Sequence, residues 1–108
     1  MMVRLSCHIS EAADLELDRE ITRGGSRSRK GKTLRGLMEL VLPKNMWDHH
    51  ISLAYEKNDR EPCTLNVTDE WLDQFQDYRV HHAQPLNVEF FKIAILRGLS
   101  IRMAAAAA

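Results

Sequence analysis

The chain has 108 residues, the size of one compact domain, and its 44% hydrophobic fraction is enough for a core. Its fifteen basic and fifteen acidic residues cancel, but unevenly: residues 1–45 hold nine Lys/Arg against six Asp/Glu, and residues 46–108 hold six against nine. No apolar run is long enough to span a membrane, and "MMVRLSCHIS" lacks the layout of a secretion signal, so a cytoplasmic chain without a membrane partner is expected. Cys7 and Cys63 have no paired metal spacing and read as reduced thiols inside the core.

In chain order, "LSCHI" alternates apolar and polar residues, which predicts a short strand with Leu5, Cys7 and Ile9 on one face and Ser6 and His8 on the other. Ser10 followed by Glu11 and Asp14 is a helix start, because a hydroxyl and negative charges satisfy the free N–H groups and the dipole of the first turn. Ala13, Leu17 and Ile21, four apart, give that helix its apolar stripe.

The loop "RGGSRSRKGKTLRG" follows. Gly31-Lys32-Thr33 suggests a nucleotide phosphate loop, but that motif requires glycine where Ser26 stands and a buried strand where a helix is expected. A second helix then carries Leu34, Leu37, Met38 and Val41 on one face, with Ser28 or Thr33 as its cap.

The segment "PKNMWDHHISLAYEKNDREP" spaces Met46, Trp47, His50, Ile51, Ala54 and Tyr55 every three or four residues, which predicts a short linking helix. His49-His50 and His81-His82 read as surface residues, since neighbouring helical positions point different ways and no ligand set surrounds them. No metal and no cofactor are expected.

Beyond the linker the first pattern repeats. Superposing Ile9-Ser10-Glu11 on Val67-Thr68-Asp69 lays "LSCHI" over "CTLNV", with Cys63, Leu65 and Val67 inward and Thr64 and Asn66 outward. Thr68 caps a helix carrying Trp71, Phe75 and Tyr78. After "HHAQP" a last helix begins near Pro85 and buries Phe90, Phe91, Ala94 and Ile95, with Gly98 as terminator. The expected fold class is mainly α with a short two-stranded antiparallel ribbon. Residues 1–108 form one domain of two units, 3–42 and 62–103, joined by the linker 43–61.

"VRLSCHISEAADLELDREITRGGSRS" with "TLRGLMELVL", and "CTLNVTDEWLDQFQDYRVHHAQPLNVEFFKIAILRGL", resemble the ribbon-helix-helix family of DNA-binding proteins, typified by Arc, Mnt and MetJ. The second copy matches the family spacing without a gap, and the first is expected to carry a few extra loop residues. Two copies in one chain look like the tandem members of TraY and VirC type, which assist conjugative and T-DNA transfer beside a relaxase.

The resemblance implies an intramolecular pseudo-dimer that is monomeric in solution, able to bind double-stranded DNA as several copies side by side, with a relaxase or other transfer protein as a further partner. Its base-reading positions carry over to Arg4, Ser6, His8, Thr64 and Asn66. Arg can take guanine O6 and N7, Asn adenine N6 and N7, and hydroxyls either base. Pro62 stands where the first copy has Arg4, implying an asymmetric site. The phosphate-gripping positions are Ser26, Arg27, Ser28, Arg29, Lys30, Lys32 and Thr33, with Leu86 and Asn87 in the second copy.

The expected function is sequence-specific double-stranded DNA binding as a plasmid conjugation accessory factor. The alternatives are a repressor or autoregulator of a plasmid or phage operon, and an antitoxin-like protein-interaction module. An enzyme is not expected, because no nucleophile with a base and no carboxylate pair stands out.

Overall fold

A computed structural model describes residues 2–23, 30–42, 50–53, 56, 58–81 and 87–107, and Asn87 by its backbone alone. The element order is strand, helix, helix, then strand, helix, helix: β1 (Met2–Ile9), α1 (Glu11–Arg23), α2 (Lys30–Val41), β2 (Glu61–Thr68), α3 (Asp69–His81) and α4 (Asn87–Ala107). The protein is mainly helical with one two-stranded antiparallel sheet.

Both strands follow the alternation of their sequences. Leu5, Cys7 and Ile9 of β1 and Cys63, Leu65 and Val67 of β2 are buried, while Ser6 and His8, and Thr64 and Asn66, are exposed. Cys7 lies opposite Cys63 and Leu5 opposite Leu65, so the apolar face of the ribbon is continuous across the two strands. Each strand passes directly into a capped helix. Ser10 Oγ accepts a hydrogen bond from the Ala13 N–H at 3.1 Å, and Thr68 Oγ1 accepts one from the Trp71 N–H at 3.2 Å.

Beneath the ribbon, α1 buries Ala13 and Leu17, and α2 buries Leu34, Leu37, Met38 and Val41. In α3 only Phe75 is fully buried. Trp71 stacks on it with ring centroids 5.5 Å apart, and Phe90 of α4 lies at 4.7 Å on a tilted plane. α4 is the central helix, burying Phe90, Phe91, Ala94, Ile95, Leu96 and Leu99 against its neighbours.

Gly98 does not terminate this helix, which continues to Ala107. A Cβ on Gly98 would lie 2.5 Å from the Leu37 carbonyl oxygen and 2.8 Å from Leu37 Cβ. Glycine is required there because the α2 backbone passes too close for any side chain. The alanines that follow favour a helix and keep it going past the glycine.

α2 begins at Lys30, so Thr33 sits inside its first turn and is not its cap, while Ser28 lies outside the described residues. Six residues separate α1 from α2, and five separate α3 from α4. The first unit therefore carries no few-residue insertion: Lys30, Gly31 and Lys32 are absorbed as a helical turn.

The linking helix is not found among the described residues. His50–Leu53 has no regular structure, and Met46, Trp47, Ala54 and Tyr55 lie outside the described residues. The Ser52 N–H donates to Ser100 Oγ at 3.0 Å, a contact with α4 that takes the place of a local helical bond. Lys92 Nζ, from α4, donates to the Glu56 carbonyl at 3.1 Å and pairs with Asp59 Oδ2 at 2.9 Å. Burial by itself would raise the Asp59 carboxyl. The Lys92 hydrogen bond, the Glu56 N–H and the Lys92 charge outweigh it and hold Asp59 below the ordinary carboxylate value.

Candidate nucleic-acid interface

The outer face of the ribbon is built by what the inner face leaves over. With the apolar residues turned to the core, the period of two forces Arg4, Ser6 and His8 of β1, and Pro62, Thr64 and Asn66 of β2, to the opposite side, and all six are exposed. The register sets their neighbours: Arg4 faces Asn66, Ser6 faces Thr64, and His8 faces Pro62. The five residues expected to read bases thus share one surface.

The pairing does not keep the two units apart. Arg4 and Asn66 come from different copies yet are cross-strand partners, which puts a guanidinium beside a carboxamide at one end of the ribbon. At the other end His8 stands opposite Pro62, which has no N–H and contributes no polar side chain. The asymmetry therefore lies along the ribbon, between its two ends.

Each second helix begins beside the strand of the other unit. A Cβ on Gly31, in the first turn of α2, would lie 3.5 Å from Leu65 Cδ1 of β2. One turn later Arg35 Nη2 donates to the Asn66 carbonyl at 3.1 Å. At the opposite edge, Val88 and Phe91 of α4 line a cavity with Val3, Arg4, Leu5 and Ser6 of β1.

The two edges differ in charge. Lys30, Lys32 and Arg35 are exposed on the first turns of α2, at the β2 edge. Glu89 and Glu56, with Lys92, line the recess beside Ser6 and His8 at the β1 edge, where Lys92 is already paired with Asp59.

Of the expected phosphate-gripping residues, Lys30, Lys32 and Thr33 lie in the first turn of α2, and Asn87 opens α4. Ser26, Arg27, Ser28, Arg29 and Leu86 lie outside the described residues. Arg35 was not among the expected residues. Its signal was its spacing: it follows Gly31 by four and shares that residue's side of the helix, beside β2.

Under the ribbon Cys7 and Cys63 are buried free thiols. Their mutual hydrogen bond and their burial push Cys7 up, so it remains protonated at neutral pH. Among the described residues no group of three or more His, Cys, Asp or Glu could hold a metal ion, and no helix is long and apolar enough to cross a membrane. No protein-family model, no curated protein and no solved structure matches the chain.

Proposed function

We propose that the protein is a tandem ribbon-helix-helix protein: an intramolecular pseudo-dimer that binds double-stranded DNA sequence-specifically by laying its ribbon in the major groove. The observation that carries this reading is the register. Ile9 and Val67 superpose when the two copies are offset by 58 residues, and so do Ser6 and Thr64, which are also direct partners across the ribbon. A ladder centred on equivalent residues is what a two-fold arrangement of two units requires. α1 and α3, both thirteen residues long, start at the same offset.

The chemistry of the outer face supports the same reading. A two-stranded ribbon fits the groove, and Arg4, Asn66, Ser6, Thr64 and His8 supply the donors and acceptors that base edges recognise. Lys30, Lys32 and Arg35 at the β2 edge are suited to the flanking phosphates. A role as a plasmid conjugation accessory factor, acting in the cytoplasm beside a relaxase, rests on the resemblance of the chain to tandem members of the family.

The test is binding of the purified protein to duplexes tiled across the intergenic regions next to its own gene, with a salt series and an Arg4→Ala/Asn66→Ala variant. A preferred duplex that the variant no longer prefers, with weak salt-sensitive binding retained, supports groove reading. A wild-type protein with no site preference at any salt sinks it.

A further inference from the structure

α4 is longer than α2, twenty-one residues against twelve. The position matching Val41 at the 58-residue offset is Leu99, so α4 runs on through Ser100–Ala107 past the point at which α2 ends. Its course is set by the close crossing of Gly98 on Leu37. Past that point Arg102, Ala105 and Ala106 line one hollow together with Lys32, Thr33 and Gly36, so the end of α4 runs beside the start of α2.

An open basin of about 530 Å³ results, with Arg23 from the end of α1, Lys32 from the first turn of α2 and Arg102 from the extension on its walls. All three are exposed. Among the described residues Glu20 is the single carboxylate on the walls, and it is already engaged by Arg23 Nη1 at 2.6 Å. Three helices thus bring a surplus of positive charge to one hollow, beside the α2 turn that abuts β2. The walls carry short side chains, Gly36, Ala105 and Ala106, that leave room for a group of phosphate size.

We infer that this basin is a second phosphate-binding position, which takes a backbone phosphate of the duplex beyond the segment read by the ribbon, on the β2 side. The inference rests on the DNA reading above and adds Arg102 and Arg23 to the residues that touch the nucleic acid.

The experiment measures the salt dependence of binding to the preferred duplex for the wild type and for Arg102→Gln, on a duplex with long flanks and on one trimmed close to the ribbon site on the β2 side. Glutamine keeps helix propensity at an exposed position, and the melting temperature checks that the fold is intact.

The expected result is a fall of about one in the slope of log K against log salt for the variant on the long duplex, and no difference on the trimmed one. An unchanged slope on the long duplex overturns the inference while leaving the ribbon reading intact. The inference also falls if millimolar inorganic phosphate raises the melting temperature of the wild type but not of the variant without any change in duplex slope, which marks a small-anion site. A wild type that prefers no duplex removes the ribbon reading and the basin assignment together.

Discussion

Arg4 and Asn66 are cross-strand partners on the exposed face of the ribbon, although they stand 62 positions apart in the chain. In the proposed complex, side chains so placed would reach the same or adjacent base pairs. Arg4→Ala and Asn66→Ala are each expected to relax specificity at that one end of the site, at a cost of about 1–3 kcal/mol of discrimination. His8→Ala should relax it at the opposite end. Base-by-base competition with mutated duplexes checks this, and loss of discrimination at unrelated positions would contradict the shared surface.

Two glycines of the helices predict opposite signs. A Cβ on Gly98 meets the Leu37 backbone at 2.5 Å, so Gly98→Ala should destabilise the protein by about 1–3 kcal/mol despite the better helix propensity of alanine. Nothing lies within 4 Å of a Cβ on Gly36, so Gly36→Ala should stabilise it by up to about 1 kcal/mol. Denaturant midpoints of the two variants, moving in opposite directions, are the expected outcome.

Lys92 and Asp59 form an ion pair whose side chains are only 11% and 10% exposed. Asp59→Asn leaves the Lys92 charge without its counter-ion and with the Glu56 carbonyl as a remaining acceptor, which should cost about 1 kcal/mol. The folded Asp59 carboxyl lies below its ordinary value of 3.8, so its stabilisation is complete above that value and is lost as pH falls through the folded pKa. Acid unfolding curves should therefore show a decline below about pH 4 in the wild type that is smaller in Asp59→Asn.

The helix caps at Ser10 and Thr68 lie towards opposite ends of the ribbon, since Thr68 pairs with Met2 and Ser10 follows Ile9. Ser10→Ala and Thr68→Ala should each cost about 1 kcal/mol and add in the double variant, because the sites share no partner. Urea titration of the two single variants and the double variant measures this. A strongly sub-additive double variant would mean that the two caps do not act separately.

Much of this arrangement was legible along the chain, because it is written in local periods. Alternation in "LSCHI" and "CTLNV" sorts inward from outward residues, and three- and four-residue spacing picks out Leu34, Leu37, Met38, Phe75 and Phe90 for the core. The hydroxyl caps of α1 and α3 follow from Ser10 and Thr68 alone, because a cap bonds to the third residue after it. The mainly helical class with a two-stranded antiparallel ribbon could be read from these periods.

What lay beyond the sequence is what depends on distant residues meeting. Gly98 signals a helix end by composition, and only the passage of Leu37 across it explains a glycine inside a continuous helix. The His50–Leu53 segment keeps a helical spacing but is drawn out by the bond from Ser52 to Ser100, a contact 48 residues away. Arg35 joins the ribbon edge, and Arg102 comes to share one hollow with Arg23 and Lys32, because α2 packs against β2 and α4 crosses α2 at Gly98. Which side chains point outward and which helices are capped is written in the chain alone, since those choices are made within a few residues. Which of those side chains become neighbours is settled only by the folded whole, since cross-strand register and helix crossing are set by the shared core and by no local signal.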